Sequence, residues 1–214
     1  RPRRRLRISG AETVWGTPLT DTNNVVRTIY MTTKLRSLLV AGTVLGAASL
    51  LGAADVEAKL KAGERAANAR VHDVDGRVFE LHAARGKPLL IVYEDKDSAT
   101  QNVALKGDLA KLAKGDRYKA TVALAAIADV SSYDFWPAKG FVIDAIREES
   151  KKQGTTIYCD WNGSFRSALQ LRRGVSNVML LGRDGQVLFA AEGAVSKEGR
   201  EQLVGLLRAQ IEGA

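Results

Sequence analysis

Two uninterrupted apolar runs, Leu89-Leu90-Ile91-Val92-Tyr93 and Val122-Ala123-Leu124-Ala125-Ala126-Ile127-Ala128, constrain this chain more than any other feature. A strand with one wet face alternates apolar and polar residues. A run without alternation needs cover on both faces, as in the centre of a sheet with helices above and below. The second run is alanine-rich and helix-compatible, but its length and position favour a central strand. Between the runs, Val103, Leu109, Leu112 and Ala113 supply the apolar positions of a helix. Asp97 or Ser98 is placed to cap that helix, and Gly115-Asp116 to end it.

The flanking segments extend the pattern. Val71–Val74 and Val78–Leu81 surround Asp75-Gly76, a hairpin signal. After the second run, Tyr133, Phe135 and Trp136 lie in a connection ending at Pro137, where they are expected to close the core; the alternative is an aromatic wall for a ligand or partner, shared with Trp161. A helix is predicted over Ala138–Gln153, with Phe141/Ala145 and Val142/Ile146 as its stripe and Gly154 beyond its end. Thr155–Cys159 reads as a third strand, and Ser164–Leu171 as a short helix. Asn177–Leu181 and Gln186–Ala191 read as a hairpin about Arg183-Asp184-Gly185. The final helix is capped by Ser196 and carries Leu203, Leu207 and Ile211. The order ββ, β-α-β-α-β-α, ββα implies a three-layer α/β fold: a mixed central sheet, helices on both faces and an N-terminal β-hairpin.

The formal charge of +8 is unevenly placed. From Asp55 onward there are 24 basic and 22 acidic residues, so most of the excess belongs to the first 54 positions. That distribution argues against a nucleic-acid surface on the folded part. Lys34 and Arg36, the 14-residue uncharged run Leu38–Leu51, and small residues around Ala54 and Ala58 form the pattern of a secretory signal. The run is shorter than the roughly 20 residues a membrane-spanning helix needs. Residues 31–58 are therefore expected to be a signal peptide cleaved after Ala54 or Ala58, and residues 1–30 an upstream extension without a fold. Residues 59–214 then form one domain, periplasmic or secreted, with no membrane contact beyond the signal. It is expected to be a monomer or weak dimer.

Few residue clusters suggest chemistry. Glu94, Asp95 and Asp97 gather after the first central strand, at the sheet edge where α/β proteins bind ligands. As an ordinary solvated loop they would only cap the following helix; as a site they could hold a divalent cation or a basic peptide. His72 and His82 lack metal-ligand spacing, and no other metal or cofactor is implied. Cys159 is the only cysteine, which precludes an intramolecular disulfide. It reads as a buried structural thiol, its pKa raised further by adjacent Asp160.

Four segments in this order resemble the redoxin branch of the thioredoxin-like superfamily: Val71–Phe79, Arg85–Tyr93, Asp160–Phe165 and Gly174–Val187. Within it the chain is similar to YtfJ-like periplasmic proteins of bacteria. The resemblance implies a thioredoxin-like fold over about residues 70–212 and places the family's nucleophile near Asp97 or Ser98, its resolving position at Gln101 and its cis-proline at Ser176. A thiolate at the nucleophile position gains from a helix N-terminus; a serine hydroxyl ionises far too weakly to do so. A cis bond before a residue other than proline costs about 2.5–4 kcal/mol, so the bond before Ser176 is expected to be trans. The chain is accordingly expected to be a non-catalytic module. It would bind an unidentified protein or peptide through Glu94, Asp95, Asp97 and Trp161. The alternatives are a thiol oxidoreductase or peroxidase using Cys159, and a metal-dependent function at Glu94, Asp95 and Asp97.

Overall fold

The computed structural model describes residues 56–57, 59–114 and 116–213. The expected upstream extension and nearly all of the expected signal peptide lie outside the described residues.

The strands are β1 (Val56–Glu57), β2 (Arg70–Asp73), β3 (Val78–Glu80), β4 (Leu89–Glu94), β5 (Ala123–Asp129), β6 (Ile157–Asp160), β7 (Asn177–Leu181) and β8 (Val187–Glu192). They form one sheet in the order β1-β8-β7-β4-β5-β6-β2-β3. The helices are α1 (Val103–Leu112), α2 (Asp116–Thr121), α3 (Ala138–Gln153), α4 (Ser164–Ala168) and α5 (Lys197–Glu212). β4, β5 and β6 are parallel, and the remaining pairings are antiparallel. The predicted hairpin about Asp75-Gly76 is β2–β3, and Asn177–Leu181 pairs with the strand after it.

Both uninterrupted runs are central strands, and alternate residues of β4 serve opposite layers. In β5 only one face is fully covered, with Leu124 on the other face exposed. Leu89, Ile91 and Tyr93 of β4 join Ile127, Met179, Phe165 and Leu169 on the face covered by α4 and the segment before β2. Leu90, Val178 and Leu180 join Leu105 of α1 and Leu203, Leu207 and Ile211 of α5 on the other face. Two successive β-α-β crossovers step the same way, from β4 to β5 to β6. Right-handed connections therefore put α1 and α3 on one side. Burying a leucine such as Leu203 or Leu207 contributes about 1.5–3 kcal/mol, so α5 anchors that layer.

Two helix readings need correction. α3 has the bounds predicted for the helix over Ala138–Gln153, and Gly154 ends it at φ +60. Its inward stripe is Val142 and Ile146, however, while Phe141 is 73 % exposed. Phe135 and Trp136 likewise do not close the core: Tyr133 and Trp161 pack beneath α3, which leaves those two at the surface. The first helix has Leu105 as its fully buried residue, whereas Val103 is partly exposed, because the helix begins later than its sequence signals suggest.

Candidate functional site

The C-terminal ends of β4, β5 and β6 open onto one edge of the sheet, facing the loop that leads into β7. Two polar clusters stand there, on opposite faces.

Glu94 follows Tyr93, so its side chain turns toward α1. Lys106 Nζ meets its Oε2 at 2.6 Å, and the Ser176 hydroxyl donates to its Oε1 at 2.8 Å. Asn102 donates from Nδ2 to Ser176 Oγ at 2.9 Å and to the Gly193 carbonyl at 2.8 Å. Its Oδ1 accepts from the Val195 N–H at 2.8 Å, and Gln101 Oε1 accepts from the Ser176 N–H at 2.9 Å. The cluster thus ties the β4–α1 turn, the loop before β7 and the β8–α5 connection together. Burial pushes the Glu94 carboxyl above its ordinary pKa, with Lys106 offsetting part of that.

The turn itself runs on Asp95. Its Oδ1 accepts from the N–H groups of Asp97 at 3.1 Å and Ser98 at 2.9 Å, and from the Ser98 hydroxyl at 2.7 Å. Ser98 Oγ in turn accepts from the Asp95 N–H at 2.9 Å, and Ser98 is fully buried. This side-chain turn takes the amides that a helix start would need. The expected cap at Asp97 or Ser98 is therefore not formed. The helix begins at Val103, after an Asn102 whose side chain is committed elsewhere.

The second cluster lies on the Tyr93 face. Asp129 and Asp160 are register partners at the ends of β5 and β6. The Tyr93 hydroxyl and the Arg166 backbone N–H each donate to Asp160 Oδ2 at 3.0 Å. Arg166 Nη1 pairs with Asp129 Oδ2 at 2.5 Å, and Ser131 donates to Asp129 Oδ1 from its N–H at 3.1 Å and its hydroxyl at 2.6 Å. The Tyr93 ring stacks on Phe165, centroids 6.2 Å apart and planes 6° from parallel. Gly163 permits this arrangement at φ +70: a Cβ there would lie 2.6 Å from Arg166 Nη2. Burial pushes the Asp129 carboxyl up, but hydrogen bonds from Ser131 and Arg166 overcome it and hold the group below its ordinary value. Burial and the two aspartates push the Tyr93 phenol up.

Beside these clusters is a cavity of about 310 Å³, which Asp95, Lys96, Asp97, Asp129, Ser132, Tyr133, Arg173 and Gly174 line. Arg173 donates across its rim to Ser132 Oγ at 2.6 Å. Among the described residues, every buried side-chain nitrogen or oxygen has a hydrogen-bond partner.

Glu94, Asp95 and Asp97 share the β4–α1 turn without converging. Glu94 is held by Lys106, Asp95 by its own turn, and Asp97 is exposed. The expectation that they could hold a cation together is corrected: among the described residues no three Asp, Glu, His or Cys side chains are grouped for a metal. Trp161 lies apart, in the layer under α3, with Lys139 Nζ 4.7 Å from its ring centroid. The peptide before Ser176 is trans, the one cis bond among the described residues being Trp136–Pro137. Cys159 is 2 % exposed and packs with Val130 and Ile146 beneath α3. Burial and, next, Asp73 push its thiol up to about 12, so the acid that acts on it belongs to β2 and not to the adjacent Asp160. Sequence reasoning missed Asn102, Asp129 and Arg166. Asp129 ends the second apolar run and is followed, after Val130, by two serines, which is a weak signal for a buried acid with local donors.

The strand order and the helix placement are those of a thioredoxin-like fold. Solved structures bear this out. The chain matches a thiol:disulfide interchange protein DsbE described as putative, from Chlorobium tepidum, at TM-score 0.54 and 18 % identity, covering 72 % of this chain and 99 % of that one. It matches an uncharacterized conserved protein from Geobacillus kaustophilus at TM-score 0.56 and 18 % identity, covering 76 % and 89 %. At such identities the likeness is one of fold. Residues 108–210 match the model of a family described as "Bacterial protein of unknown function (YtfJ_HI0045)", in agreement with the resemblance drawn from the sequence motifs. A search of curated proteins finds no match.

Proposed function

We propose that this chain is an extracytoplasmic, thioredoxin-like binding module that works without thiol chemistry. It presents the cavity at the C-terminal ends of β4 and β5 to a protein or peptide partner. One observation carries this reading. Ser98 occupies the position the family resemblance assigns to a nucleophile, and it is fully buried with its hydroxyl committed to Asp95. The resolving and cis-proline positions, Gln101 and Ser176, are bonded to each other. Polar groups satisfied in this way build a rigid rim and offer no reactive atom. The one thiol is buried beneath α3, away from this turn, and its pKa is pushed up to about 12, which leaves almost no thiolate at neutral pH. The location rests on the basic, apolar and small-residue sequence of residues 31–58.

The deciding experiment compares the chain with its Cys159→Ser variant in insulin-disulfide reduction and in peroxide consumption. Each assay is run with dithiothreitol and with thioredoxin plus its reductase. Both proteins are expected to match the protein-free background. Turnover that the variant loses would make Cys159 a redox centre and overturn the proposal.

A further inference from the structure

The two candidate cuts of the expected signal peptide, after Ala54 and after Ala58, fall on either side of β1. Both cut positions lie outside the described residues, but the strand between them does not. Val56 and Glu57 pair antiparallel with Glu192 and Ala191 of β8. The chain then keeps to the same edge. Lys59 and Leu60 line a small cavity with Ala190, Ala191 and Glu192, and Leu60 packs against the core. The Gly63 N–H donates to the Val187 carbonyl at 2.8 Å, and the Val187 N–H to the Glu64 carbonyl at 2.8 Å. Arg65 bridges to Gln186. Val56, Glu57 and the residues from Lys59 to Arg65 thus cover β8 from Glu192 back to the turn before it.

That cover matters because of what it covers. β8 has five consecutive apolar residues before Glu192. An open edge of that composition presents unpaired N–H and C=O groups and recruits another strand. β1 is two residues long and carries Glu57, and a short, charged last strand is how a sheet ends without recruiting one. A cut after Ala58 discards β1 and opens the Ala191–Glu192 end of β8, whereas a cut after Ala54 keeps it. The sequence before each cut agrees. Gly52-Ala53-Ala54 has small residues at both positions that signal peptidase reads, the first and the third; Val56-Glu57-Ala58 has one only at the third.

We infer that the signal peptide is cut between Ala54 and Asp55, and that the mature chain keeps Val56–Glu57 to close the β8 edge. The inference rests on the extracytoplasmic reading above and moves the start of the domain from Lys59 to Asp55. The step is hydrolysis by signal peptidase: one water is consumed at the Ala54–Asp55 amide, which leaves a carboxylate on Ala54 and a new α-ammonium on Asp55.

The test is N-terminal sequencing of the full chain after production in a bacterial host with a periplasm, for the parent, Ala54→Leu and Ala58→Leu. The parent and Ala58→Leu are expected to yield a periplasmic product that begins at Asp55, and Ala54→Leu to lose most of that product. A periplasmic product that begins at Lys59, or processing that Ala58→Leu blocks, overturns the inference and leaves the extracytoplasmic reading standing. A chain that stays unprocessed in the cytoplasm overturns that reading together with the inference. A second variant tests the closing of the edge. Deleting residues 55–58 from the full chain lets the same cut release a protein that begins at Lys59. Its urea midpoint is expected to fall about 0.5 M below that of the processed parent, and sedimentation velocity is expected to show stronger self-association. If neither quantity moves, β1 does not close the edge and that half of the inference is overturned.

Discussion

Two polar clusters occupy the same edge of one sheet, yet they hold their acids in opposite ways. Glu94 has two partners, the half-exposed Lys106 and the Ser176 hydroxyl, and burial still raises its pKa. Asp129 is about as close to a cation but has two further donors from Ser131, and its pKa is lowered. The number of hydrogen bonds to the charged form, more than the presence of a counter-ion, decides which effect wins. The Asp129 cluster is built to keep a charge beside the cavity. The Glu94 cluster instead ties three connections together, and most of its bonds run through Asn102 and Ser176.

That difference predicts where damage is greatest. Asn102→Ala removes the partners of the Val195 N–H and the Gly193 carbonyl, two backbone groups in a covered region. A stranded buried polar group costs about 1–3 kcal/mol, so urea unfolding should show a loss of about 3 kcal/mol. A loss under about 1 kcal/mol would mean that water replaces the amide, and the cluster would not be the tie described here. Tyr93→Phe probes the other cluster. Asp160 keeps the Arg166 N–H, and the ring keeps its stack on Phe165, so only one hydrogen bond to a carboxylate is lost. The expected cost is about 1.5 kcal/mol, measured in the same way.

The sheet could be read from the sequence because it rests on runs and periodicities: two apolar strands, an Asp-Gly turn and a leucine stripe at spacing four. The clusters could not, because their partners are far apart in the chain. Asn102 meets Ser176 and Val195, and Tyr93 meets Asp160, through contacts that only the crossover topology creates. The late start of α1 shows the same limit at short range. Asp97 and Ser98 both carry capping chemistry, but Asp95 captures their amides first. Phe141 fits an amphipathic stripe by spacing alone, and only the seating of α3 shows that the stripe is rotated away from it.

The smallest effect is also the sharpest test of the contrast, since the two acids should titrate with opposite sign. Glu94 has a folded pKa above its ordinary value of 4.5, so the folded state takes up its proton before the unfolded chain does. Burying its charge is a cost at neutral pH, and that cost is relieved as pH falls toward 4.5. Asp129 has a folded pKa below its ordinary 3.8. Its contribution is complete above 3.8 and is lost as pH falls through the folded value. Glu94→Gln and Asp129→Asn each remove one titration. Urea midpoints of parent and variants between pH 7 and pH 2.5 should separate them. The parent should gain on Glu94→Gln as pH falls from 7 to 4.5, and should lose its lead over Asp129→Asn only below 3.8. Two differences of the same sign across the range would mean that one environment governs both acids. The division of this edge into a charge-holding cluster and a connection-tying cluster would then fail.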